Sequence, residues 1–319
     1  MSLVDKRLRD ISLPLLFQRV CMHFVYKNVW KLATYAIEGM LASTALDVVT
    51  GNTRFLDIRI SDDINEDSED LMPSVLPGRL AEFLSAPFRQ LRTLVFSIDE
   101  RKAQTFGDKF CTAGIELHTV TTLLVGAYCD FMVSLCPNVE HVATYDWVWL
   151  HSNRGMTSRE QSFRLIAAAG GAKMLQHFEM KELWSVDLLK AVYDAMPSIE
   201  MLTLDGSRVI DSLKALIPIL SQFKELKTLG LVDASSRDVY VGPNGARRVQ
   251  EELKAANRRV ADMVFGACAN LDVVVLGGSA KAVVTRGHGG QIQDIRWCEM
   301  QRRPMRSFDM PSFFAPFPS

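Results

Sequence analysis

Residues 91–96 read Leu91-Arg92-Thr93-Leu94-Val95-Phe96, and residues 199–204 read Ile199-Glu200-Met201-Leu202-Thr203-Leu204. Both place apolar residues at the first, fourth and sixth positions. The same phrase recurs as FLDIRI (55–60), VTTLLV (120–125), VEHVAT (139–144), LQHFEM (175–180), LKTLGL (226–231) and LDVVVL (271–276), with Thr144 as one weak member. A strand has a period of two. The fourth and sixth positions of each copy therefore point to one face, and the residue between them points to the other. The sequence predicts eight short strands, each turning its apolar face to a core.

Segments of helical character lie between the phrases: Ala81 to Phe88, Ala127 to Cys136, Trp184 to Met196, Val209 to Phe223 and Gly245 to Cys268. Pro137 and Pro197 stop two of them just before a strand begins, where a helix-terminating proline belongs. An L-x-x-L-x-L phrase alternating with helices resembles leucine-rich repeats. The expected fold is an α/β leucine-rich-repeat-like solenoid, with a curved parallel sheet inside and helices outside. The copies start at irregular intervals and carry no asparagine ladder. An ordinary α/β domain with a parallel sheet is the alternative.

The chain has 319 residues, of which 48% are hydrophobic and 23% charged. That is ample apolar material for a core, and it excludes a largely disordered chain. A net charge of −1 argues against a nucleic-acid partner. No stretch approaches the ~20 apolar residues of a membrane helix. Charges interrupt the N-terminus too early for a signal peptide. No membrane partner is expected, and the expected location is the cytoplasm or nucleus. Cys21, Cys111, Cys129, Cys136, Cys268 and Cys298 form no Cys-x-x-Cys pair and no zinc-type spacing, so they read as reduced core thiols. No metal ligand and no cofactor are expected. The sequence contains no G-x-S-x-G, P-loop, G-x-G-x-x-G or H-E-x-x-H motif, and Gly287-His288-Gly289-Gly290 reads as a turn. Cys136 precedes His141 across a helix-to-strand turn. Its place at the end of an apolar helix suits a buried thiol better than a nucleophile. The chain is therefore expected to be non-enzymatic.

The N-terminal residues 4–17 carry Val4, Lys6, Arg7, Leu8, Arg9, Pro14, Leu15, Leu16 and Phe17 in the order V-x-K-R-L-R, then P-L-L-F, and a strand-like Gln18 to Phe24 follows. This phrase resembles the end of the F-box in fungal F-box proteins with degenerate leucine-rich repeats. The resemblance implies the substrate-recognition part of an F-box subunit of a Skp-cullin-F-box ubiquitin ligase, with the ligase chemistry in another subunit. It divides the chain into a remnant of the F-box C-terminal helix and first strand (1–24), a repeat array (25–300) with an acidic loop (61–79), and a C-terminal tail (301–319). A complete F-box opens with an L-P-x-E helix that contacts the Skp adaptor, and Met1 lies past that point. Skp binding is expected only if an upstream F-box segment exists. The alternative is a leucine-rich-repeat scaffold that binds a protein partner without recruiting a ligase.

Parity along the expected strands gives their inner-face residues, beginning with Asp57 and Arg59 in the FLDIRI copy. The middle of the array is richest in polar and aromatic groups. There His141, Tyr145, His177, Glu179, Lys181 and Asp205 are the expected contacts for a protein substrate or partner. Trp147 and Trp149 share the parity of Tyr145 and join this concave face if the strand continues. Otherwise they pack under a loop. Tyr and Trp are enriched where binding energy concentrates. The competing expectation is that loops, the acidic one included, form the binding surface.

Overall fold

All eight L-x-x-L-x-L phrases form strands, and three further strands flank them. The computed structural model describes residues 12, 15–25, 28–61, 71–145, 157–182, 184–205, 213–231, 246–277, 280–287 and 290–299. These fall into two compact units, 1–176 and 177–319.

The first unit runs β1 (Arg19–Val25), α1 (Val29–Leu41), α2 (Leu46–Asn52), β2 (Phe55–Ser61), α3 (Leu76–Leu84), β3 (Thr93–Ile98), α4 (Glu100–Ala113), β4 (Thr122–Val125), α5 (Phe131–Ser134), β5 (His141–Thr144) and α6 (Thr157–Gly170). Its strands pair in parallel and in chain order, β1-β2-β3-β4-β5. Crossovers between parallel neighbours are right-handed, so a strand order that never reverses keeps its crossover helices on one face. Burial agrees. Leu56, Ile58, Ile60, Leu94, Phe96, Leu123, Val125 and Val142 share one parity and are fully buried. An aromatic cluster fills the space beneath the helices. Phe96, Phe110 and Phe131 meet edge to face with ring centroids 5.7 to 6.1 Å apart, a geometry that suits the ring quadrupoles.

The second unit runs β6 (His177–Lys181), α7 (Val186–Ala195), β7 (Met201–Asp205), α8 (Leu213–Leu220), β8 (Thr228–Leu231), α9 (Ala246–Ala267), β9 (Val273–Leu276), β10 (Ala280–Arg286) and β11 (Ile292–Glu299). Strands β6 to β9 are parallel in chain order. β10 and β11 then add antiparallel. Arg286 ties this hairpin to the end of α9. Its Nη2 donates to the carbonyls of Phe265, Cys268 and Leu271 at 3.0 to 3.3 Å. Of these, Phe265 lies in the last turn of α9, where carbonyls have no intrahelical partner. Both units are thus α/β, with mostly parallel strands and alternating helices.

Several expectations need correction. Helices α1, α2 and α4 were not expected. α4 is capped by Asp99, whose side chain accepts from the Arg101 N–H, and it ends at Gly114 with φ +62°. The stretch 61–79 is not all loop, because α3 begins at Leu76; residues 62–70 lie outside the described residues. The segment 127–136 yields only the single turn of α5. Gly287 and Gly290 do lie in a turn, which joins β10 to β11, and Gly290 has φ +80°. Cys129, Cys136 and Cys268 are buried, but Cys21, Cys111 and Cys298 are exposed. The expected tail 301–319 lies outside the described residues. Among the described residues, no single helix is long and apolar enough to cross a membrane.

One correction concerns register. Phe55 pairs with Thr93, so the FLDIRI copy sits two residues out of step with its neighbours. Parity is kept, but every inner-face residue of β2 moves up one row.

Candidate functional site

On the face of the first unit's sheet opposite the buried parity, the register defines three rows. Arg19, Phe55, Thr93, Thr122 and His141 form the first. Cys21, Asp57, Val95, Leu124 and Ala143 form the second. His23, Arg59 and Ser97 begin the third, and Gly126 and Tyr145 extend it one step past β4 and β5. Strand pairing persists to that point, since the Gly126 N–H donates to the Phe96 carbonyl and the Tyr145 N–H to the Val125 carbonyl, both at 2.8 Å.

The chemistry of this face centres on Asp57, whose side chain is 1% exposed. A carboxylate removed from water must be hydrogen-bonded and paired. Arg59 meets it with a fork: Nε donates to Oδ1 at 2.7 Å and Nη2 to Oδ2 at 2.5 Å. Two residues apart on one strand, the two side chains share a face, so the pair is local to β2. His23 Nε2 lies 2.9 Å from the same Oδ2. The guanidinium also lies over the Tyr145 ring, with Cζ 4.0 Å from the centroid, a cation–π contact. Arg59 and Tyr145 are separated in their row by Ser97 and Gly126. Any larger side chain there would block the approach. At Gly126 an added Cβ would meet the Ser97 hydroxyl and lie 2.7 Å from Ser97 Cβ and 2.9 Å from its Cα.

Of the residues expected from sequence, Tyr145 is half-buried and engaged by Arg59. His141, on the first row, is also half-buried. Burial pushes its imidazole down to about 4, so it is neutral at physiological pH. In the second unit His177 opens β6 and is buried, with Nε2 3.4 Å from the Thr203 hydroxyl. It is therefore a packed residue rather than an open contact. Glu179 and Lys181 follow on the same face and are half-buried. Lys181 pairs in register with Asp205, as expected. The expected neighbours His141–His177 and Tyr145–Lys181 belong to different units. Trp147 and Trp149 lie outside the described residues. Burial pushes the Cys136 thiol up to about 12, which leaves it without a reactive thiolate at neutral pH.

No protein-family model and no curated protein matches the chain.

Sequence reasoning placed Asp57 and Arg59 on this face but not in the site, and it left out Cys21 and His23. The signal was available in Gln18 to Phe24. Treating that segment as one more repeat strand puts Cys21 and His23 on the parity of Asp57 and Arg59. Three donors then converge: Cys21 Sγ, a His23 ring nitrogen and an Asp57 carboxylate oxygen lie within 4.8 Å of one another.

Proposed function

We propose that the chain is a leucine-rich-repeat-like solenoid that acts as a non-enzymatic protein-interaction domain. In this reading it resembles the substrate-recognition part of an F-box subunit of a Skp-cullin-F-box ubiquitin ligase. One observation carries the interaction reading. Strands follow one another in parallel and in chain order, with helices between them, and the opposite face carries a pre-ordered polar and aromatic row, Arg59–Tyr145. Side chains already held by ion pairing and stacking lose little freedom when a partner docks. The F-box part rests on the phrase in residues 4–17.

The test is partner capture by the full chain, with cross-linking to identify the partner, followed by Tyr145→Ala and Lys181→Glu. Both should weaken capture while changing the melting temperature by no more than a few degrees. If both leave capture intact and deletion of residues 62–70 abolishes it, the sheet face is not the binding surface. Stoichiometric binding of a Skp adaptor to the longest natural form of the chain supports the F-box assignment, and its absence refutes that assignment.

A further inference from the structure

We propose that Cys21, His23 and Asp57 form a binding site for a zinc-type divalent transition-metal ion at the first two strands of the sheet. The inference is independent of the interaction reading above. It starts from strand geometry. Cys21 and His23 are two residues apart on β1 and so share a face. Asp57 is the register partner of Cys21 on β2. The donor atoms already lie within 4.8 Å of one another. Tetrahedral angles with Zn–S of about 2.3 Å and Zn–N or Zn–O of about 2.0–2.2 Å put ligand atoms roughly 3.3–3.6 Å apart. Closing that gap takes about 1 Å of movement. Cys21 and His23 are exposed and can supply it by rotamer adjustment, with no backbone shift.

The donor set selects the ion. One thiolate, one imidazole and one carboxylate suit a borderline-soft ion of the zinc type and do not suit calcium or magnesium, which take oxygen ligands. Asp57 is buried and held by the two Arg59 hydrogen bonds, the kind of outer support that fixes a ligating carboxylate. Arg59 also adds a positive charge. The thiolate and carboxylate together balance a divalent ion, and the guanidinium leaves the site with one net positive charge. The ion takes the place of the His23 contact at Asp57 Oδ2. His23 turns a ring nitrogen to the metal and carries its proton on the other nitrogen. The Cys21 thiol releases its proton to solvent. Ligation needs the thiolate and an unprotonated ring nitrogen, so binding releases protons and weakens as the pH falls. Three protein ligands leave a fourth position on the exposed side, open to water.

The test uses the full chain with Cys111→Ser and Cys298→Ser, so that Cys21 is the exposed thiol remaining among the described residues. Co²⁺ is titrated in and read by the thiolate-to-cobalt charge-transfer band and the ligand-field bands. Zn²⁺ is then added to displace it. One equivalent of Co²⁺ should bind at about 1 µM or tighter, with a charge-transfer band and the intensity of a tetrahedral site. Cys21→Ser should abolish the charge-transfer band. His23→Gln should weaken binding by at least ~100-fold, more than loss of a merely supporting group costs. Both positions are exposed, so both variants should keep the parent's circular dichroism. Absence of the band in the parent chain overturns the proposal. So does a band that survives Cys21→Ser, or an affinity that His23→Gln leaves unchanged.

Discussion

Replacing Arg59 with Met tests whether the Asp57–Arg59 pair anchors this face of the first unit's sheet. Asp57 has a side chain 1% exposed and Arg59 one 22% exposed. Removing one partner of a buried pair costs about 3–5 kcal/mol, and His23 Nε2, 2.9 Å from Asp57 Oδ2, would be the carboxylate's remaining partner. The partial exposure of Arg59 places the pair at the lower end. The lost cation–π contact with Tyr145 adds about 0.5–1 kcal/mol. Arg59→Met should therefore destabilise by about 3–4 kcal/mol. Removing both charges with Asp57→Leu and Arg59→Met should cost far less than the two single changes added together, because apolar pairs of similar volume replace buried ion pairs at little or no cost. Two compact units can unfold separately, so the assay must report on the first. Native-state hydrogen exchange of the β2 and β3 amides does so. An Arg59→Met loss below about 1 kcal/mol, or strict additivity across the cycle, would refute the reasoning.

Three further outcomes follow from the packing and the titrations. Gly126→Ala should cost about 1–3 kcal/mol through overpacking. Ser97→Gly should restore only part of that, since the Ser97 Cα itself lies 2.9 Å from the added methyl; chemical denaturation of the four chains checks this. Arg286→Lys should cost about 2–3 kcal/mol and speed amide exchange in β10 and β11, because one ammonium cannot serve both the carbonyls bonded by Nη2 and the Gly290 carbonyl bonded by Nη1. His141, depressed from 6.5 to about 4 by burial, takes up its proton at higher pH when the chain is unfolded. Its contribution is complete above about pH 6.5 and is lost as pH falls toward 4, an effect of about 3 kcal/mol. A stability–pH profile should show that slope, and His141→Gln should flatten it.

The strands were legible because each copy repeats one physical constraint, an apolar residue at every second position of the strand. The helices were less so. α4 was missed although Asp99, Gly114 and the buried set Ala103, Phe106, Gly107 and Phe110 form a full signature of cap, stop and i, i+3, i+4, i+7 stripe. Its charged surface breaks the stripe into single apolar residues that form no run. The β10–β11 hairpin escaped for a related reason. β11 is largely exposed along its length, so it has little hydrophobic pattern to read, and a side chain–backbone anchor at Arg286 holds the hairpin instead.

The site was harder to read than the fold because parity and register carry different information. Parity survives an error of two residues, and it placed Asp57, Arg59 and Tyr145 on the correct face. Register does not survive it. Counting FLDIRI from Phe55 put Arg59 in the row of Val95. The backbone pairing puts it in the row of Ser97, and so in line with Gly126 and Tyr145. The FLDIRI copy alone points to the wrong frame, because the first position is the apolar Phe55 there and Thr53 in the observed one. The decisive information lies in the neighbours. Only the observed frame puts a long cation and an aromatic ring in one row with only serine and glycine between them. A charged side chain that must reach across a sheet needs small residues along its path, and that requirement is visible in sequence only after the strands have been aligned by pairing.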